Sequence, residues 1–287
     1  GSGSLSGDGG GVNISGVWGH IDLEIRNNKI KYNKATSDSE ITDIVIGGGI
    51  DIFNDCSGIV ANNDISYNEA IVPVAGGWCY GAGVMVELQD IKDPDFLFEN
   101  NIVSNNTFSG EFCVGGGICT YRSGGKFQNN IIQNNEGTHG GGIAVAYNAD
   151  TNQVIVINNT IANNSSIWGG GMFLETGNAV VINSIIWGNE SPYQTSIYEN
   201  EQSTLEVVFS DVQGEYEWPG EGNILKDPEF QDDTCRIHEN SLCEDNGTNT
   251  LFIGQTLYEI PEYDFEGDLR PYHMGIDIGA DECDFID

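Results

Sequence analysis

The chain has 287 residues, with 39 glycines, 7 prolines and 39% apolar residues, so it can bury a core and is not composed like a disordered tail. Ten Lys and Arg stand against 44 Asp and Glu, a formal net charge of −34 that repels nucleic acid and anionic membrane surfaces. The most apolar stretch, from Ile71 to Val86, is broken by Pro73, Gly76, Gly77, Gly81 and Gly83, so neither a transmembrane segment nor a nucleic-acid partner is expected.

Along the chain, glycine-dominated triplets begin at Gly9, Gly47, Gly81, Gly115, Gly140 and Gly169, each followed by an apolar residue. A second element runs out of phase with them: IRNNKIKYN from Ile25, VANNDISYN from Val60, FENNIVSNN from Phe98, FQNNIIQNN from Phe127, VINNTIANN from Val156 and a weaker VINSIIWGN from Val181. The first asparagines of the first five copies lie 35, 38, 29 and 29 residues apart. A β-branched, alternating unit of this length without a helical period predicts a solenoid of short strands, each coil stacked about 4.8 Å from the next. The alternation in VIVINNTIANN is read as turning Ile155, Ile157 and Ile161 toward the shared interior. Glycine reaches positive φ freely and asparagine does so second best, so both motifs read as corner chemistry, with asparagines forming a side-chain ladder along the axis. No GKS or GKT follows a triplet, which argues against a phosphate loop. The expected fold is all-β, a right-handed parallel β-helix (solenoid) with an irregular acidic C-terminal segment. Residues 1–190 are expected to be coils, and 191–287 the last coils plus an acidic loop or cap region of the same solenoid. Residues 190–287 hold 25 acidic and 3 basic residues, against 19 and 7 before them.

The GGGI and FxNN elements resemble the repeats of secreted right-handed parallel β-helix proteins and are similar to the GGA[ILV] and FxxN repeats of polymorphic outer-membrane and autotransporter adhesins. The later elements NSIIWGN (183–189), SDVQGEYEWPGEGNILKDPEF (210–230), SLCEDNGTN (241–249), EYDFEGDLRP (262–271) and IDIGADE (276–282) resemble, in order, the choice-of-anchor Q type of β-helix protein. That resemblance implies a secreted or surface-attached solenoid and does not imply a reaction.

Several residues carry candidate chemistry. Tyr80, His139 and Trp168 each directly precede a glycine triplet, as does Val114, and form a candidate stripe for stacking on sugar faces or for packing. Arg122 and Lys126 are the only close basic pair of the central coils, as a polyuronate lyase would need, although the overall charge repels such a substrate. Asp51 with Asp55, and Asp93 with Asp95, are spaced like turn residues rather than like a hydrolytic pair. Asp227, Glu229, Asp232 and Asp233, and in a second loop Asp264, Asp268, Asp277 and Asp281, are candidate calcium ligands, with solubility as the competing explanation. Cys79 and Cys113 stand at equal offsets from their triplets and should meet on adjacent coils, while Cys235 and Cys243 are candidates to staple the acidic loop. Seven cysteines leave at least one thiol over.

The expected function is that of an extracellular structural or adhesive protein at the cell surface. It is expected to bind surface glycans or proteins or to self-associate, head to tail as a filament subunit, because no polar cap precedes Gly9. The alternative is a polysaccharide-binding or polysaccharide-degrading β-helix.

Overall fold

The computed structural model describes residues 6–8, 10–37, 44–73, 75–88, 95–148, 152–194, 196–272 and 274–283. Asp93, Gly9 and the stretch before Ser6 lie outside the described residues.

Three seven-stranded parallel sheets form the solenoid. Sheet 1 contains the strands that come after the glycine triplets: Val12–Ser15, Ile50–Phe53, Val84–Glu87, Ile118–Tyr121, Ile143–Ala146 and Met172–Glu175, then Ile197–Glu199. Sheet 2 runs from Ile21–Arg26 to Thr204–Val208, and sheet 3 from Lys29–Lys31 to Asp211–Val212. The first three coils carry two further strands each, which with Ser6–Asp8 ahead of the first coil form a four-stranded sheet 4 (Ser6–Asp8, Ile44–Ile46, Trp78–Tyr80, Phe112–Val114) and a three-stranded sheet 5 (Lys34–Thr36, Glu69–Ile71, Thr107–Ser109). These extra strands account for the longer repeats early in the chain. They enclose a small second core of Val45, Val72, Cys79 and Cys113 with flanking alanines. In later coils sheet 4 dwindles to single bridges, Val114 to His139 to Trp168 to Tyr193.

The two motifs divide the labour of turning. In each NN pair the first asparagine (Asn27, Asn62, Asn100, Asn129, Asn158) has φ between 49° and 58°, and the second is buried in every coil but the first. The inward asparagines form two ladders, each Oδ1 accepting from the backbone N–H and Nδ2 of the rung before it. One ladder runs Asn28, Asn63, Asn101, Asn130, Asn159 at 2.9–3.2 Å. The other runs from Asn33 through Asn68, Asn106 and Asn135 to Asn164 and Asn189. Ser184 and Ser210 continue the first ladder with hydroxyls, and Asn223 ends it by accepting from the Ser210 N–H. Buried amides in register satisfy polar groups that the corners would otherwise orphan.

The triplets are only partly turn chemistry. Gly81 sits at φ 65°, as a corner requires, whereas Gly83 has no positive φ. A Cβ on Gly83 would lie 2.6 Å from the Gly117 carbonyl and 2.8 Å from the ladder nitrogen of Asn106. The third glycine is therefore demanded by the close approach of stacked backbones, a reason that φ alone does not supply.

The main core is continuous from Leu23 to Val212 and includes the fully buried Phe98 and Phe127. Val154, Val156 and Ile161 face it, but Ile155 and Ile157 do not: they belong to an apolar patch on the outer side of sheet 2 with Val180, Ile182, Leu251 and Tyr258. The expected phase of that strand is thus corrected by one residue, because both of its faces are buried.

The solenoid ends at Val212, and the remaining chain both closes its end and straps its flank. Trp218 packs against the main core, and the Asn223 amide donates to the Val207 and Trp218 carbonyls. Further on, the chain returns along sheets 2 and 3. Asn129 donates to the Tyr263 carbonyl, Gln133 to Asp233, Asn158 to Asp277 and Asn183 to Thr248. Its lock is Arg270, fully buried, 2.9 Å from the Glu282 carboxylate and donating to the carbonyls of Asp277, Gly279 and Ala280.

Candidate functional site

The most featured surface lies where the outer face of sheet 1 meets the column that precedes the glycine corners. Register sets its composition. The outward positions of sheet 1 read Met85 and Glu87, Cys119 and Tyr121, Ala144 and Ala146, Phe173 and Glu175, with Tyr198 alongside Phe173 in the last coil. The small Ala146 therefore leaves a notch in an otherwise bulky face, while Ala144 is fully buried. Around it stand Tyr80, Tyr121, His139, Tyr147, Trp168 and Phe173, enclosing a hollow of about 430 Å3. Trp78, Val114, Ala146, Tyr198, Glu175 and Asn200 complete the lining.

The rings hold one another in place. Trp168 stacks on Tyr193 at 4.3 Å and meets the edge of Tyr198 at 5.3 Å, and Phe173 stacks on Tyr198 at 5.2 Å. His139 abuts Phe173 edge-on at 5.0 Å, while Tyr121 contacts both Tyr80 and Tyr147 at 5.5 Å. Burial and the neighbouring Glu175 carboxylate raise the pKa of Tyr147. Thr138 donates its hydroxyl proton to the Cys113 carbonyl, so the 3.0 Å contact between Thr138 Oγ1 and His139 Nδ1 requires the proton on Nδ1. Nε2 is then an acceptor. Burial lowers the pKa of His139, which keeps the ring neutral, and burial raises that of Tyr80.

The three expected stacking residues thus share one site. They pack, and they also line open space, so the two readings of the column are not exclusive. Tyr121, Tyr147, Phe173, Glu175 and Tyr198 escape a reading keyed to the triplets. Counting outward positions from each triplet reaches Tyr121, Phe173 and Glu175, but Tyr147 follows its strand at φ 55° and Tyr198 comes after an irregular stretch with no triplet to count from.

A right-handed beta helix region family model matches residues 4–155, more than half of the chain. The chain belongs to the right-handed beta helix family. No curated protein and no solved structure matches it.

Elsewhere on this β-helix the candidate residues are not gathered into sites. Arg122 lies over the Tyr121 ring, 5.1 Å from its centroid, while Lys126 donates to the Glu259 carbonyl on the strap side, its pKa lowered by burial. They do not form one basic centre. Asp51 is buried and accepts from Asn13, and Asp55 pairs with His20.

The acidic loop residues do not build the six-to-eight-oxygen cage that calcium takes. Among the described residues no three His, Cys, Asp or Glu side chains converge as metal ligands. The carboxylates cap backbone instead. Asp264 accepts from the N–H groups of Glu266, Gly267, Asp268 and Glu282, Asp277 from Asp245 and Cys283, and Asp281 from Ile237. Asp227 and Asp232 cap Glu229 and Thr234, and Asp233 meets Gln133 through its carbonyl alone. Asp268 accepts from Asp264 through its backbone carbonyl, and Glu229 sits at φ 54° in an exposed turn.

All seven cysteines are buried free thiols. Cys79 and Cys113 are direct register partners with their sulfurs 2.9 Å apart, in contact but longer than the 2.05 Å of a disulfide. Cys235 and Cys243 do not pair: Cys235 donates to Gln133 at 3.0 Å and Cys243 to Asp211 at 3.4 Å, in separate apolar patches.

Proposed function

We propose that this β-helix is an extracellular, non-catalytic adhesive protein that holds a glycan chain in the aromatic hollow beside Ala146. The observation that carries the reading is the hollow itself. Eight ring systems, the His139 imidazole among them, converge on an open concavity with the small Ala146 in its lining, and an amide, the imidazole and a carboxylate stand there to meet hydroxyls. Apolar walls with a few placed polar groups are the usual composition of a ligand pocket, and aromatic faces suit the C–H faces of sugar rings. Glu175 is the one carboxylate among the lining residues, whereas glycoside hydrolysis takes a pair, so binding is favoured over cleavage. The resemblance to surface-attached β-helix proteins of the choice-of-anchor Q type supports the extracellular setting. Head-to-tail assembly would have to displace Trp218 and Asn223 from the last coil, and the glycan reading needs no such step.

Titration calorimetry with neutral oligosaccharides (cello-, xylo-, manno- and chito-series) tests the reading. At least one series should bind, and Trp168→Ala should weaken it about tenfold, equivalent to about 1.4 kcal/mol. Binding by none of them, or equal binding by the variant, would overturn it.

A further inference from the structure

The hollow is not electrically neutral, and this narrows what it would hold. Its rim contains one carboxylate, Glu175, and no lysine or arginine. His139 adds no positive charge, since burial keeps its imidazole neutral. Arg122 lies over the Tyr121 ring and is not among the lining residues.

Glu175 is also in specific company. Its register partner is Ala146, which leaves the space beside it open, and the next outward-facing residue before it is Phe173. Tyr147 lines the hollow beside the carboxylate, and the Tyr147 and Tyr121 rings meet edge to face at 5.5 Å. A carboxylate set among tyrosine faces is the composition that receives an alkylammonium group: the anion pairs with the charge and the ring quadrupoles stabilise its flanks. The chain as a whole, at −34, enriches cations and repels polyuronates at long range.

We infer that the hollow selects glycans bearing a free amino group, with the ammonium of a 2-amino sugar seated against Glu175 and its pyranose ring stacked on the aromatic wall. This rests on the glycan-binding reading and specifies its ligand class. Glu175 acts here as a binding residue, and no bond is made or broken.

The test compares a glucosamine trisaccharide with its N-acetylated and its glucose counterparts, by titration calorimetry in 150 mM salt. Short ligands and physiological salt limit general attraction to an acidic surface. The wild type should prefer the free amine about tenfold or more over both neutral trisaccharides. Glu175→Gln should abolish that preference while keeping the neutral affinity, and Trp168→Ala should weaken all three ligands. Glu239→Gln removes an exposed charge on the strap and should change nothing. If the neutral sugars bind as well as the amine, or if Glu175→Gln keeps the preference, the amino-sugar inference fails and the glycan reading stands. If Glu239→Gln lowers amine binding as much as Glu175→Gln does, the attraction belongs to the whole surface and the inference also fails. If no trisaccharide binds, both readings fall.

Discussion

Truncating one asparagine in the middle of a ladder, Asn130→Ala, should destabilise the solenoid by about 4 kcal/mol. The side chain is fully buried and makes four hydrogen bonds. Its Oδ1 accepts from the Asn101 N–H at 2.9 Å and the Asn101 amide at 3.2 Å, and its Nδ2 donates to the Phe98 carbonyl and to Asn159 Oδ1, each at 2.9 Å. Alanine leaves the Asn101 N–H buried without that acceptor, which costs about 1–3 kcal/mol, and removes three further bonds worth about 0.5–1.5 kcal/mol each. Asn28→Ala supplies the contrast. That residue is exposed at the first rung and its amide donates only to Asn63 and the Arg26 carbonyl, so about 1 kcal/mol or less is at stake. Urea unfolding followed by far-ultraviolet circular dichroism measures both. An Asn130→Ala loss under about 1 kcal/mol, or equal losses for the two variants, would refute the ladder as a source of stability.

Other expectations concern the strap. Burial raises Asp211, Asp277 and Asp281 from an ordinary value of 3.8 to about 7. The unfolded chain releases these protons near pH 4 and the folded chain holds them to about pH 7. The stability they confer is therefore complete below pH 4 and is lost as pH rises to about 7, at up to about 1.4 kcal/mol per pH unit for each group. Melting temperature should fall between pH 4 and pH 7, and Asp281→Asn should flatten that slope; a slope unchanged in the variant counts against the assignment. Arg270→Ala leaves Glu282 buried without its partner and should cost about 3–5 kcal/mol, freeing the strap first. Limited proteolysis should then cut within residues 213–283 before the coils, and uniform digestion would count against a separate lock. Under oxidising refolding with a glutathione disulfide couple, peptide mapping should find Cys79 joined to Cys113 and no link between Cys235 and Cys243; the reverse result would contradict the register.

Legibility in the sequence tracks repetition. Asn28 and Asn33 recur at a fixed offset in coil after coil, so the ladders, the corners and the stacking of Cys79 on Cys113 could be read by counting. The phase of Ile155 could not, because the strap buries both faces of that strand and erases the alternation that tells inside from outside. The acidic loops misled for a related reason. Asp264, Asp277 and Asp281 look like exposed metal ligands in a sequence, yet they are buried caps around Arg270, and only the folded path of the strap shows this. The hollow was half legible. Tyr80, His139 and Trp168 are tied to the triplets, but the notch depends on Ala146, which carries no chemical signal of its own.

The placement of the candidate site comes from how a solenoid of this kind uses its surfaces. Inward positions are fixed by the ladder and the core, so variation between coils is confined to the outward columns. Two of the three long outward faces of the later coils are occupied: sheet 2 by the patch around Leu251 and Tyr258, and sheet 3 by Ile237, Cys243 and Ile278. Sheet 1 is the long face on which the strap contributes no residue to the apolar clusters described. It is also the face where sheet 4 thins to single bridges, so that rings at His139, Trp168 and Tyr193 stand as a column beside it. Shortened coils, a covered flank and a small outward residue together open the hollow at that one place. A bulky residue at the notch should close it without touching the core, and Ala146→Leu should therefore lose the ligand while unfolding at the same urea concentration as the wild type. A variant that binds normally would mean that the ligand sits elsewhere on this face.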